Sequence, residues 1–327
     1  MLHFLLVSVL CFTFSLHVYS ADNAYGLNTH NFPNGFLSNT TVKNLLRDLG
    51  VKWIRAEVPW YAIETTPNMN WDDFVYSQPD EIAKFAQENG INVLFVLTKS
   101  PTFYGGPTFL FPEYISRWQI FVREMVERYD GDGYKDMPGL TKPIKHWVIW
   151  NEPNLKKFWN SGTLFGNKTS FMNYVLGPGM DALRDADSGA KICGPDLSSA
   201  SDPKGWLQSF TNQFGTCFDV LTHHQYDGND DPYYRLLLLY EFYNKAYQLG
   251  YQSQELWVTE TGYKHSKFSY SQIAQYLVEW MDYMGPTIFW YKTFWYCWRG
   301  DYDYGLLDSS NNPTPVYDTY KNYIQTH

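Results

Sequence analysis

Two stretches of this 327-residue chain close an apolar run with a glutamate: VIWNEPNL at 148–155, with Asn151 and Glu152, and WVTETGY at 257–263, with Glu260. A carboxylate fixed where a buried strand ends is placed for proton or nucleophile chemistry. Two of them facing one substrate divide the work. A protonated one serves a leaving oxygen, and an ionised one attacks carbon or activates water. Burial near Trp and Tyr raises a carboxyl pKa, and a nearby Arg lowers it. Arg55, at another strand end, is the cation available to keep Glu260 charged. Glu152 has no cation in its own segment and reads as the acid.

These residues need a scaffold that gathers strand ends. Short apolar runs alternate with stretches of helical period along the whole chain. The pattern predicts strands at Tyr25–Thr29, Trp53–Glu57, Asn92–Leu97, His146–Trp150, Ile192–Gly194, Val220–His223, Leu256–Thr259 and Ile288–Thr293. Helices are expected at Thr41–Leu49, Glu81–Asn89, Pro112–Tyr129, Met172–Asp187, Gly205–Phe214, Tyr233–Leu249, Tyr270–Tyr283 and Pro315–Gln325. Such alternation specifies a parallel sheet covered by helices, and eight units close into an α/β (β/α)8 TIM barrel. An open doubly wound sheet is the alternative. No G-x-G-x-x-G follows the first strand to support it. A barrel carries its site at the C-terminal strand ends. There the chain offers Asn28 and His30, Arg55 and Glu57, Lys99 and Ser100, Asn151 and Glu152, His223, His224 and Tyr226, and Glu260.

Composition narrows the substrate. Aromatic residues make up 19% of the chain, with 13 Trp and 27 Tyr, more than a core alone requires. Amphipathic rings suit a ligand with apolar faces and many hydroxyls, such as a sugar. The net charge of −9 argues against nucleic acid and acidic polymers as partners. Residues 1–20 read as a signal peptide with an apolar run at Phe4–Leu16, leaving residues 21–327 as one secreted barrel domain with no membrane span. Cys193, Cys217 and Cys297 remain, and the first two are candidates for a disulfide. Asn39 and Asn167 begin glycosylation sequons. The DGDG run at Asp130–Gly133 lacks the spacing of a calcium loop and reads as a turn.

WNEPN and TETG together resemble the glycoside hydrolases of clan A, over nearly the whole mature chain. The longer run RYDGDGYKDMPGLTKPIKHWVIWNEPN is similar to the β-xylosidase and α-iduronidase branch. The resemblance implies a retaining mechanism with Glu152 as acid/base and Glu260 as nucleophile. It implies that Asn151 bonds the sugar 2-hydroxyl, that Arg55 and Tyr226 hold Glu260, and that His224 joins them. It also implies a Trp of strand eight as the floor of the reactive subsite. FWYKTFWYCW offers Trp290, Trp295 and Trp298, and Trp295 is the choice.

The expected protein is thus a monomeric, cofactor-free and metal-free β-glycosidase acting on a carbohydrate. Xylosidase-type relatives often carry an added β-sandwich, for which this chain has too few residues. That favours an open, endo-acting cleft, against which the long segment from Trp60 to Asp80 could wall off one end. Trp60 and Tyr104 are candidate stacking platforms. A transglycosylase or exo-β-glycosidase using the same site, or a non-catalytic carbohydrate-binding barrel, are the rivals.

Overall fold

Alternation of inward and outward residues, not overall apolarity, sets the architecture. The computed structural model describes residues 24–29, 39–160, 167–226, 231–284, 290–299 and 303–327. The strands are β1 (Tyr25–Asn28), β2 (Trp53–Pro59), β3 (Asn92–Thr98), β4 (His146–Ile149), β5 (Lys191–Ser198), β6 (Val220–His224), β7 (Glu255–Thr261) and β8 (Trp290–Tyr296). They pair in sequence order, all parallel, and β8 closes on β1. The helices are α1 (Thr40–Leu49), α2 (Trp60–Ile63), α3 (Ser77–Glu88), α4 (Ile115–Glu127), α5 (Lys168–Phe171), α6 (Gly177–Ala186), α7 (Pro203–Phe214), α8 (Pro232–Gln248), α9 (Tyr270–Met284) and α10 (Pro315–Thr326). The expected (β/α)8 barrel is the fold. The proposed signal segment and His30 fall outside the described residues.

Two cores result. Inward residues Trp53, Leu94, Val96, Val148, Cys193, Val220, Trp257 and Phe294 plug the lower barrel. Trp53 and Trp257 meet edge-on at 4.8 Å, and Lys292 lies over both rings. The outward residues of the same strands, such as Ile54, Phe95, Trp147 and Val258, pack against the helices. The plug is a floor, so polar groups on the next inward positions stand above it at the barrel mouth.

Two expectations are corrected here. Cys193 and Cys217 are free thiols. Cys193 points into the barrel plug, while Cys217 packs in the outer layer beside Tyr251, so the sheet separates them. Trp60 and Tyr104 are buried in the helix layer, stacked on each other at 5.1 Å, and are not platforms. The segment after Trp60 is tied to α4. Arg117 of that helix pairs with Glu64 and donates to the Met69 carbonyl at 2.9 Å, and Lys135 sits 3.2 Å from the Trp71 ring centroid.

Candidate active site

The site side chains stand above the plug, some on the regular inward series and some through departures from it. On β2 the inward series is Trp53, Arg55, Glu57, which brings the Arg55 guanidinium to the barrel axis. Arg55 is fully buried and makes hydrogen bonds in three directions. Nη1 donates to Glu260 Oε1 at 2.8 Å, Nη2 to Asn151 Oδ1 at 2.6 Å, and Nη2 and Nε to Asp196 Oδ2 at 2.6 and 3.2 Å. Burial works against the guanidinium charge, but the Asp196 and Glu260 carboxylates outweigh it and hold the proton more firmly than usual.

The ends of β4, β5 and β7 depart from regular strand, and those departures aim the carboxylates. Trp150 and Glu152 have φ of 71° and 41°, and Asp196 has φ of 48°. Non-glycine residues in this region are uncommon and gather at functional sites. The turn at Trp150 sends its ring out to Trp118 and Trp159 and leaves Asn151 and Glu152 facing inward. Asn154 fastens this loop to β5, donating to the Ser198 and Ala200 carbonyls at 2.9 and 2.6 Å. In β7 the register shifts between Val258 and Thr261. By plain alternation Thr259 faces inward and Glu260 outward. The shift lets both face inward, as bulges do. Thr259 donates to Asp196 at 2.7 Å, and Glu260 accepts from Arg55 and from the Tyr226 hydroxyl, the latter at 2.8 Å.

β6 keeps its alternation. His223 faces outward and stacks on Phe242 at 4.1 Å, and His224 faces inward, fully buried. His224 Nδ1 lies 2.9 Å from Glu152 Oε1 and 3.6 Å from Glu260 Oε2, and Nε2 lies 3.5 Å from Asp196 Oδ2. Burial pushes its proton off, yet Glu260, Asp196 and Glu152 override that and raise its pKa to about 10. Glu152 shows the converse. Burial pushes its carboxyl up, but the His224 hydrogen bond and charge, Lys157 at 3.7 Å and Arg55 hold it below the usual range. The reading that Glu152 has no cation in its own segment is therefore corrected: Lys157 lies five residues further on, and His224 adds a second partner from β6. The 2.9 Å contact gives a proton a direct path between His224 and Glu152.

Oxygens of Glu152 and Glu260 lie within 4.8 Å of each other. Both residues are buried, at 3% and 5% exposure.

A sequence model described as "Glycosyl hydrolase catalytic core" matches residues 125–320, more than half of the chain. The chain belongs to this family. Its fold is that of clan A glycoside hydrolases. Among similar solved structures is a family 39 glycoside hydrolase from Bacteroides cellulosilyticus WH2, with TM-score 0.72 and 16% identity over 94% of this chain and 64% of the other. Another is a monomeric β-xylosidase from Caulobacter crescentus CB15, with TM-score 0.70 and 17% identity over 92% and 68%. A third is xylanase 10B from Thermotoga maritima, with TM-score 0.66 and 14% identity over 93% and 95%. The chain thus spans just under two thirds of the family 39 enzyme's length.

In this glycoside hydrolase the structure gathers Arg55, Asn151, Glu152, His224, Tyr226 and Glu260 in one network. Trp295 is the exception, and its expected role is corrected. Phe294 faces the plug, so Trp295 faces the helices, where it packs against Tyr263 and Tyr320 at 6.1 and 6.3 Å. Tyr296 is the strand-eight aromatic at the mouth, with its ring 6.0 Å from Tyr226 and 5.3 Å from Tyr304. Asp196 was missed. Pro195 marks the end of a strand in sequence terms, so the residue after it is not read as a strand end.

Among the described residues, two side-chain groups have the proximity for a cation. Glu152, His224 and Glu260 form one, but a protonated His224 and the Arg55 cation bonded to Glu260 oppose a metal there. Asp130, Asp132 and Asp136 form the other, and their oxygens accept the N–H groups of Gly131, Asp132, Gly133 and Tyr134 within their own turn.

Proposed function

We propose that this protein is an exported, retaining β-glycosidase that cuts a polysaccharide within its chain. The separation of the two glutamates carries the reading. Oxygens within 4.8 Å fit the ~5–5.5 Å of double displacement, whereas inversion needs roughly 6.5–9.5 Å to admit a water. Glu260 attacks the anomeric carbon, with Arg55 and Tyr226 fixing its carboxylate by two hydrogen bonds. Glu152 protonates the departing oxygen. The proton reaches it across the 2.9 Å contact from His224. After the leaving group departs, Glu152 accepts a proton from water, which attacks the glycosyl-enzyme ester and frees Glu260. Asn151, anchored by Arg55, is oriented for the sugar 2-hydroxyl. Tyr296 offers a ring beside the same sugar.

Exposed rings on segments that follow strands support a long substrate. Tyr61 after β2, Phe111 after β3 and Tyr233 and Tyr234 after β6 stand 43–55% exposed. The apolar run within residues 1–20 and the exposed sequon residues Asn39 and Asn167 support export.

The test is product analysis on β-glucans, xylans, mannans and galactans, with Glu260→Ala as blank. Oligosaccharides whose new end first appears as the β anomer are expected from one of these polymers. Appearance of the α anomer first, or turnover by Glu260→Ala at the parent rate, refutes the mechanism. Release of monosaccharide alone refutes the internal cut.

A further inference from the structure

One ion pair at the barrel mouth, between a buried glutamate and a half-buried lysine, has no part in the chemistry above. Glu57 follows Arg55 on the inward series of β2, one step nearer the opening. Lys99 follows β3 directly, and its ammonium pairs with the Glu57 carboxylate. Glu57 is 8% exposed, the same slight degree as Glu152 at 3% and Glu260 at 5%. Its charge also reaches Arg55, adding to the hold on that guanidinium.

Lys99 is held in place by its backbone. Its φ of 58° is in the left-handed region, as at Glu152 and Asp196. Its carbonyl accepts the Tyr61 N–H at 3.2 Å, and the Ser100 hydroxyl beside it donates to the Gly106 carbonyl at 2.7 Å. A left-handed lysine costs backbone energy that a glycine would not. An ion pair with a half-exposed lysine adds little net stability to offset that cost. Together the two side chains present a fixed anionic acceptor beside a fixed cationic donor, and they lie next to the residue that holds Glu260.

We propose that Glu57 and Lys99 read the sugar whose anomeric carbon bonds Glu260, gripping two adjacent ring hydroxyls. One hydroxyl donates to the Glu57 carboxylate, and its neighbour accepts from the Lys99 ammonium. With Asn151 on the 2-hydroxyl, the pair takes the hydroxyls at C3 and C4 of a neutral pyranoside. This rests on the retaining-glycosidase reading.

The test compares kcat/KM for p-nitrophenyl β-D-xyloside and β-D-glucoside with their 2-, 3- and 4-deoxy analogues. Wild type and the Glu57→Gln/Lys99→Met double variant are run together, the double change leaving no lone buried charge. In wild type, loss of the 3- or 4-hydroxyl is expected to cost about 10–100-fold, as for hydrogen bonds to charged groups. In the variant the parent glycoside falls by a similar factor, and the 3- and 4-deoxy penalties shrink below about 3-fold. The 2-deoxy penalty stays the same in both. A variant that keeps the parent rate, or keeps the wild-type deoxy penalties, overturns the proposal. If the variant does not fold, the wild-type series decides. Full activity on both 3- and 4-deoxy sugars overturns the proposal, and a loss on either supports it. Glu260→Ala is the control. Turnover surviving in it overturns the retaining reading and this inference together, whereas its silence beside an unchanged deoxy pattern overturns this inference alone.

Discussion

Asp196→Asn should damage this protein more than any other change of equal size. Asp196 is fully buried and joins four strands. Its Oδ2 accepts both Nη2 and Nε of Arg55 from β2, and its Oδ1 accepts the Thr259 hydroxyl from β7. Its N–H donates to Thr222 of β6 at 3.0 Å, and its carbonyl accepts the Glu152 N–H, also at 3.0 Å. Asparagine preserves the shape but places an N–H₂ against a hydroxyl or a guanidinium. Breaking a buried ion pair from one side costs about 3–5 kcal/mol. Arg55 keeps Glu260 as a partner, so the low end applies. A loss of ~3 kcal/mol lowers Tm by roughly 6–12 °C. Arg55 also loses its two-point anchor, and we expect kcat/KM to fall about 10–100-fold through misaimed Glu260. Acid pH supplies the specific signature. Burial pushes the Asp196 carboxyl up, but Arg55 and His224 hold it far below its ordinary 3.8. Its stabilisation is therefore present above the unfolded value and lost as pH falls. Calorimetry from pH 7 to pH 2 should show a Tm gap between wild type and variant that is constant down to about pH 4 and narrows below it. A variant within about 2 °C of wild type at pH 7, or a gap that ignores pH, would refute this account.

Trp295→Ala should cost about 3–5 kcal/mol in denaturant unfolding yet leave KM unchanged in the folded fraction. Tyr296→Ala should do the reverse, lowering kcat/KM with a smaller change in stability. Swapped phenotypes would restore Trp295 to the site. The His224 pKa is raised from 6.5 to about 10, so its stabilisation is complete below 6.5 and disappears as pH rises toward 10. His224→Asn should therefore show a flatter Tm profile between pH 7 and 10, and an unchanged slope would count against a protonated His224. Lys157→Met removes a cation 3.7 Å from Glu152 and should move the alkaline limb of kcat/KM upward. Because Lys157 is mostly exposed, the shift should be roughly 0.2–0.7 pH unit, and a downward shift would contradict the assignment.

The barrel was legible because period-two alternation and helical stripes survive wherever a strand is regular. β3 and β6 show this best. In VLTHH the inward set Val220, Thr222, His224 and the outward set Leu221, His223 follow from counting. β5 was cut short at Gly194 because a proline reads as the end of a ladder. The strand in fact continues to Ser198, through a shift between Pro195 and Leu197 that frees Asp196 from the ladder. In β8 the inward and outward residues are both aromatic, so composition gives no phase. Trp295 was chosen one residue away from Tyr296.

These failures share a cause, and it is the one that makes the site work. A regular inward series delivers one side chain per two residues, about 6.6 Å apart along a strand. Five ionisable groups cannot converge on one recess at that spacing. Convergence requires residues that leave the series: Glu152 and Asp196 through positive φ, and Glu260 through the shift beside Thr259. The glutamates themselves could still be named, because each follows an apolar run whatever its phase. Arg55 could be named for Glu260, but the partners of Glu152 could not. The histidine that meets Glu152 comes from β6, one strand beyond β4's neighbour β5, and no spacing within either segment records that it lies 2.9 Å away. Lys99 belongs with this group. It is the one positive-φ residue at a described strand end on the β2–β3 side of the mouth, where no assigned step of the chemistry requires it. The distortion that aims Glu152 and Asp196 at a substrate gives the same reason to expect one at Lys99.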